Sequence, residues 1–95
     1  MLRRRGVILT LKGLRKLENA RIQASDEQDA WISYEEIELE INEINQVRTD
    51  INRLSQATIR KIFNNQVRVD KHSLESLFKY FNLDLLRCDY TRYLP

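Results

Sequence analysis

The chain has 95 residues, 42% of them apolar and 32% charged, and its formal net charge is +2. One domain of this length buries a modest core and leaves little room for an enclosed catalytic pocket, so we expect neither an enzyme nor a small-molecule substrate. The single cysteine, Cys88, excludes an internal disulfide, and no apolar run is long enough to cross a membrane, which together favour a cytoplasmic protein.

Charge is distributed unevenly along the chain. Residues 1–21 carry seven basic and one acidic side chain, 22–46 carry eight acidic and no basic ones, and 47–72 carry six basic and two acidic ones. A basic segment beside an acidic one suits a polar protein with one side turned toward DNA, although ordinary solvated helix faces would give the same pattern.

The first predicted element is a helix that Thr10 caps and that runs to about Ala24. Residues 1–9 before it contain three consecutive arginines and are interpreted as a basic arm or a solubilising tail. Gly13 costs the helix about 1 kcal/mol relative to alanine, which predicts either a later helix start or the close approach of another backbone. The polar residues 25–30 are predicted to form a loop.

A second helix start lies at Ser33, followed three residues later by Glu36. This spacing predicts a capping box, and Ile32 and Ile37 on either side are placed to form a hydrophobic staple. The exposed face of this helix is rich in glutamate, which would repel phosphate, so we expect it to point away from any nucleic acid.

The third start lies at Ser55, in a stretch from Ile51 to Val69 that contains no acidic residue. Apolar side chains at helical spacing predict an inward face. The outward positions then include side chains that pair with bases or phosphates, namely Gln56, Thr58, Arg60, Lys61 and Asn64. A solvated helix face is the alternative interpretation.

The last predicted helix is capped by Asp70 and runs through Phe81, with Asn82 as a left-handed residue after it. Residues 82–95 are apolar and aromatic, and are predicted to fold back on the core or to meet a second subunit. His72 is interpreted as a surface residue and Cys88 as a packing residue. We expect no metal site and no cofactor.

Several sequence blocks resemble known helix-turn-helix domains. Leu54-Ser55 followed by Thr58-Ile59 is similar to the signature of the phage-repressor type. Blocks from Arg5 to Leu17, from Val69 to Glu75 and from Phe81 to Thr91 resemble the N-terminal helix-turn-helix domains of large cyanobacterial signalling ATPases and WD-repeat proteins. Residues 43–50 look like an insertion between the two helices of the motif, so the geometry of the 43–53 connection is not predicted.

The resemblance implies an all-α compact bundle of four to five helices in one domain, residues 1–95, with a helix-turn-helix core at 33–81. It also implies a recognition helix from Ser55 to Asn64. Base contacts are expected from Gln56, Ala57, Thr58, Arg60 and Lys61. Phosphate contacts are expected from Arg53, Ser55, Asn64, Asn65, Arg68 and Lys71.

Double-stranded DNA is therefore the expected partner, in the bacterial cytosol or nucleoid, and the chain is interpreted as a transcriptional regulator or DNA-targeting domain. We expect such a regulator to dimerise, because one short recognition helix rarely provides enough affinity. The alternative is a protein interaction or adaptor domain on the same framework. Its anchors would be Trp31, Leu85, Leu86, Tyr90 and Tyr93. Non-specific RNA binding is a weaker alternative, because the aromatic residues are not interleaved with basic ones.

Overall fold

The computed structural model describes residues 6–92 and is mostly α-helical. Its elements, in chain order, are β1 (Ile8–Leu9), α1 (Leu11–Gln28), α2 (Tyr34–Asn45), α3 (Gln56–Asn64), α4 (Lys71–Tyr80), a 3₁₀ helix (Arg87–Asp89) and β2 (Tyr90–Thr91). The prediction of a helical bundle is confirmed for the four α-helices. The two short strands correct the prediction that the fold is purely α.

Helices α1, α2 and α3 each begin where the sequence predicts a hydroxyl cap. The side-chain oxygens of Thr10, Ser33 and Ser55 accept hydrogen bonds at 3.1 to 3.2 Å from the backbone N–H three residues further on. Asp70 occupies the N-cap position of α4, but its side chain makes no capping hydrogen bond. Local side-chain chemistry therefore fixes three of these four helix starts.

The first helix is longer than the sequence predicts. It continues to Gln28, so the loop prediction for 25–30 is wrong for its first four residues. The helix is terminated at Asp29, which adopts a left-handed conformation with φ of 62° and whose N–H bonds back to the carbonyls of the last turn. The buried hydroxyl of Ser25 serves the fold, because it accepts a hydrogen bond from the Ile32 N–H at 3.0 Å. The polar composition of this stretch does not indicate a loop.

The capping box predicted at the start of α2 is half present. Ser33 accepts from the Glu36 N–H, but the Glu36 carboxylate accepts a hydrogen bond from the Gln28 side chain at 3.1 Å instead of returning to Ser33. The extension of α1 brings Gln28 within reach. Glu36 therefore links α2 to the end of α1.

One apolar core joins all four helices, the loop before α3 and the chain before α1. Its buried members are Val7, Leu9, Leu17, Ile32, Ile37, Ile41, Ile51, Leu54, Ile59, Ile62, Phe63, Leu74, Leu77 and Phe78. Val7 is only 1% exposed, and Ile8 and Leu9 are also buried. The prediction of an arm over 1–9 is therefore wrong for 7–9, because these apolar side chains are removed from water. The arginines at 3–5 lie outside the described residues.

Both ends of the described chain are built into the fold. Strand β1 pairs antiparallel with β2, with Ile8 opposite Thr91 and Leu9 opposite Tyr90. Val7 and Val69 exchange two backbone hydrogen bonds, at 2.8 and 2.9 Å. Helix α4 ends at Tyr80, one residue before the predicted end, and Asn82 is left-handed as predicted, with φ of 59°.

The segment after α4 folds back on the helices. Leu83, Leu85 and Tyr90 pack against the core, which is the first of the two outcomes predicted for 82–95. Tyr93 lies outside the described residues.

Candidate nucleic-acid interface

Helix α3 has one buried side and one exposed side. Ile59, Ile62 and Phe63 are buried, and the Phe63 ring lies 5.5 Å from that of Tyr34 on α2. Of the five predicted base-contact residues, Ala57, Arg60 and Lys61 are exposed, and Gln56 and Thr58 are partly buried. The predicted phosphate-contact residues Arg53, Ser55 and Asn64 are also exposed. The residues named for DNA contact therefore lie largely on the exposed side of this helix and just before it.

The basic side chains at α3 are not used by the fold. Within residues 6–92, the Arg53, Arg60 and Lys61 side chains have neither an ion-pair partner nor a hydrogen-bond partner. Their charges are therefore available to an external anion.

A shallow groove joins α3 to the start of α4. It has a volume of about 250 Å³ and is lined by Thr58, Lys61, Arg68, Val69, Asp70 and Ser73. It thus brings Lys61 and Arg68 to one concave surface. The Nε atom of Arg68 is buried and has no hydrogen-bond partner in the described part of the chain. Lys61 and Arg68 share this groove with one carboxylate, that of Asp70.

Two of the predicted phosphate contacts have structural roles instead. Asn65 is left-handed, with φ of 52°, and its amide accepts from the Leu9 N–H at 3.1 Å and donates to the Leu9 carbonyl at 3.0 Å. The hydroxyl oxygen of Ser55 accepts a hydrogen bond from the Thr58 backbone N–H, and the hydroxyl groups of Ser55 and Thr58 also share a hydrogen bond. Asn65 joins α3 to β1, so we do not include it in the interface.

An acidic side chain that the sequence does not single out lies at the start of α3. The Glu38 carboxylate on α2 accepts a hydrogen bond from the Gln56 N–H at 2.7 Å. It thereby satisfies one of the free N–H groups of the first turn. Its negative charge also interacts favourably with the positive end of the helix dipole. The two residues are 18 positions apart, so no local sequence signal connects them.

Arg21 is a second residue whose role the sequence does not reveal. It is only 8% exposed, and its guanidinium carbon lies 4.3 to 4.9 Å from three aromatic ring centroids, those of Trp31, Tyr34 and Phe63. It also donates two hydrogen bonds to the Ile32 carbonyl, at 2.9 and 2.6 Å. Arg21 therefore stabilises the junction of α1, α2 and α3 and is unavailable to a nucleic acid.

Three acidic side chains line a separate groove. A groove of about 770 Å³ lies between α1, α2 and the end of α4, and Glu27, Glu40 and Glu43 line it. The Tyr80 hydroxyl donates a hydrogen bond to Glu40. Burial raises the pKa of Glu40, as do the charges of Glu36 and Glu43. No residue of α3 lines this groove, whereas Glu38 of the same helix α2 lies at the start of α3.

The anchors considered for an adaptor differ in exposure. Leu85 and Tyr90 pack against the core, whereas Leu86 is half exposed and Trp31 is 60% exposed. Among residues 6–92, no helix has the length and apolar character needed to cross a membrane. In the same range, no three His, Cys, Asp or Glu side chains come together in a way that could hold a metal ion.

Comparison with protein-family models, with curated proteins and with solved structures found no match to this chain.

Proposed function

We propose that this chain is a DNA-binding helix-turn-helix module in which α3 is the recognition helix. It would serve as a transcriptional regulator or as the DNA-targeting domain of a larger assembly. Helix α2 is the first helix of the motif in this proposal, and residues 46–55 replace the usual tight turn. Because this connection is longer than the usual turn, we do not assume that the two helices dock on DNA in the standard helix-turn-helix geometry.

The observation that carries the proposal is the set of unpaired cations around α3. Arg53, Arg60 and Lys61 have no partner for their charges within the described chain. Exposed arginine and lysine side chains without internal partners bind phosphate readily, because each contact releases counterions from the DNA.

The polar side chains on the same surface supply a means of reading bases. Gln56 and Arg60 lie four residues apart, one helical turn, and are the types that pair with adenine and guanine in the major groove. Glu38 works against this arrangement, because its negative charge lies at the first turn of α3. We therefore expect moderate affinity for random duplex DNA and a requirement for the correct sequence or a second subunit.

The proposal is tested by measuring binding to a random duplex, by fluorescence anisotropy, at about 50 and 200 mM salt. A phosphate-binding domain loses affinity steeply with salt. On random duplex both cations are expected to contact phosphates, so the double variant Arg60→Gln with Lys61→Gln should bind at least about tenfold more weakly. Its salt slope should fall by about 2, since each lost phosphate contact lowers the slope by about 1.

The matched control is Arg15→Gln, which removes one charge from an exposed position on α1. It should change neither the affinity nor the salt slope appreciably, whereas Lys61→Gln alone should change both. If the unaltered protein shows no binding to random duplex at protein concentrations up to about 100 μM and about 50 mM salt, the proposal is wrong, since the dissociation constants of non-specific complexes are about 10⁻⁴ to 10⁻⁶ M at physiological salt and smaller at lower salt. Equal losses in Arg15→Gln and Lys61→Gln would show attraction by net charge without an interface at α3.

The adaptor function is the second candidate, and the exposed Trp31 favours it. Sedimentation velocity with and without duplex distinguishes the two. A dimer that forms only on DNA supports the regulator. A tight dimer without DNA that is disrupted by changing Arg60 and Lys61 would mean that the exposed side of α3 is a protein interface.

A further inference from the structure

A second basic groove lies between the start of α4 and the segment from the 3₁₀ helix to the end of β2. It has a volume of about 500 Å³ and is lined by Lys71, Arg87, Tyr90, Thr91 and Arg92. Three of its five lining residues are cationic and none is acidic. Arg87 and Arg92 are exposed, and neither side chain has an ion-pair or hydrogen-bond partner among residues 6–92. We call these five residues the C-terminal basic groove.

The segment that carries Arg87 and Arg92 is held firmly in place. Asp89, between them, is fully buried and accepts hydrogen bonds from the Lys16 ammonium and the Leu86 N–H, both at 2.9 Å. The Asp89 carbonyl accepts from the Thr10 N–H at 2.9 Å. Arg87 therefore lies in a 3₁₀ helix that is hydrogen-bonded to α1 and Arg92 directly follows β2, so both arginines are attached to ordered backbone before any anion binds.

Helix α1 is shaped to receive this segment. A Cβ atom at Gly13 would lie 2.1 Å from the Asp89 carbonyl oxygen, so only glycine allows the two backbones to come this close. Strand β2 then pairs with β1 through Tyr90 and Thr91, which are themselves lining residues of the groove. The groove is thus a product of the tertiary fold.

The lysine of the groove is already oriented. The Lys71 ammonium lies 5.3 Å from the centroid of the Tyr90 ring. Its other neighbour is Glu75, one turn along α4, at 3.9 Å. Both side chains of that pair are partly exposed to water, where such an ion pair contributes little to stability. A phosphate in the groove would compete with it at little cost.

The groove is connected through α4 to the interface at α3. Asp70 lines the groove that holds Lys61 and Arg68, and the next residue, Lys71, lines the C-terminal basic groove. The two grooves therefore have lining residues at adjacent positions at the start of α4. Lys61 and Arg68 line the first groove together with the acidic Asp70, and Lys71, Arg87 and Arg92 line the second.

We propose that the C-terminal basic groove binds a phosphodiester of the DNA backbone beside the site contacted by α3. Lys71, Arg87 and Arg92 supply the charges, and the groove acts as a second anchor that sets the orientation of α3 on the duplex. This inference rests on the proposed function, and it adds Arg87 and Arg92 to the interface. Phosphate contacts of this kind position a protein on DNA without reading its sequence.

The test is the double variant Arg87→Gln with Arg92→Gln, measured against random duplex DNA over a salt series. Its salt slope should be smaller than that of the unaltered protein by about 2, and its affinity at about 50 mM salt should be lower by roughly tenfold. The control is again Arg15→Gln, which removes one exposed charge where the double variant removes two, so a pure net-charge effect would give it about half of the loss in salt slope. Circular dichroism and urea unfolding should be unchanged in the double variant, because both side chains are exposed and unpaired in the described chain.

The outcomes separate this inference from the function on which it rests. If the unaltered protein binds duplex DNA, Arg60→Gln with Lys61→Gln weakens it, and Arg87→Gln with Arg92→Gln does not, the anchor is wrong and the DNA-binding function stands. If the unaltered protein does not bind, both are wrong. If only the Arg87 and Arg92 changes weaken binding, the C-terminal basic groove is itself the DNA site and the assignment of α3 fails.

Discussion

The carboxylate of Glu38 on α2 accepts a hydrogen bond at 2.7 Å from the backbone N–H of Gln56, the first residue of α3. Together with Ser55, which accepts from the Thr58 N–H, it satisfies two of the free donors in the first turn of this helix. The contact links α2 to the start of α3. It also places a negative charge beside the surface that we propose for DNA binding.

Replacing Glu38 by glutamine should separate these two effects. The glutamine carbonyl can still accept from the Gln56 N–H, so we expect a loss in the free energy of unfolding of only about 1 kcal/mol from the weaker, uncharged hydrogen bond. Affinity for duplex DNA at low salt should rise several-fold, because a charge that repels phosphate is gone. Anisotropy titration and urea unfolding measure the two quantities.

The control for this variant is Glu43→Gln, the same chemical change on the same helix in the groove facing α1. It should raise DNA affinity much less. Equal increases in both variants would mean that net charge alone controls binding, and a decrease in Glu38→Gln would mean that the carboxylate itself contacts the nucleic acid.

Gly13→Ala should destabilise the protein, although alanine favours helices. In an exposed helix the change would stabilise by about 1 kcal/mol. Here the added Cβ would lie 2.1 Å from the Asp89 carbonyl oxygen, and the nearest atoms all belong to the Asp89 backbone, so no side chain can turn aside. We expect a net loss of about 2 kcal/mol or more, as in an overpacked core.

Urea unfolding followed by circular dichroism measures this loss. The control is Asn19→Ala, at an exposed position of the same helix, which should leave the stability unchanged or slightly raised. A Gly13→Ala variant as stable as the unaltered protein would show that the 87–91 segment can move away from α1 at no cost.

The sequence indicates one of the two partners in the contact between Gly13 and Asp89. Gly13 inside a helical pattern is a local anomaly that predicts either a later helix start or the close approach of another backbone, and the structure has the second. No local sequence signal identifies Asp89 as the residue that approaches Gly13, because the two residues are 76 positions apart. Helix starts are predictable for the opposite reason, since a hydroxyl cap such as that of Ser33 bonds a backbone N–H only three residues away.

In the candidate interface too, some residues were predictable from local sequence and others depend on distant contacts. The exposed cations of α3 follow from helical spacing, which separates them from the buried Ile59 and Ile62. The role of Asn65 could not be predicted, because its side chain bonds to Leu9, 56 residues earlier. Arg87 and Arg92 were also missed, because their surroundings depend on the pairing of the two chain ends.

Arg21→Met should destabilise the junction of the first three helices. The substitution keeps much of the apolar length but leaves the Ile32 carbonyl without its two hydrogen bonds, at 2.9 and 2.6 Å, and removes the cation from three aromatic rings. A buried carbonyl without a donor costs about 1 to 3 kcal/mol, and the lost cation–π contacts add about 0.5 to 2 kcal/mol. We expect a total loss of about 1.5 to 5 kcal/mol.

Trp31 is the only tryptophan, so its fluorescence reports directly on this contact. The emission should shift in Arg21→Met and stay unchanged in the control Arg15→Met, which alters an exposed arginine of the same helix. Arg21→Lys should recover only part of the stability, because a lysine cannot reproduce the planar, two-donor contact. Full recovery would mean that charge alone matters at this position.

The buried carboxylate of Asp89 should make stability depend on acid. Burial by itself raises the pKa of Asp89, but the Leu86 N–H and the Lys16 ammonium outweigh it, so the pKa lies below its usual 3.8. The ionised form is therefore favoured by folding. Its contribution to the free energy of unfolding is complete above the unfolded pKa of about 3.9 and is lost as the pH falls through the lower folded pKa.

Comparison of the unaltered protein with Asp89→Asn isolates this effect. At pH 7 the variant should be less stable by about 1 to 3 kcal/mol, because an amide in place of the carboxylate cannot match its bonds to Lys16 and Leu86. The difference between the two proteins should stay constant down to about pH 5 and shrink below about pH 4. Urea unfolding at stepped pH measures it, with the exposed Glu18→Gln as control. A difference that stays constant below pH 3 would mean that Asp89 contributes through its shape and hydrogen bonds and not through its charge.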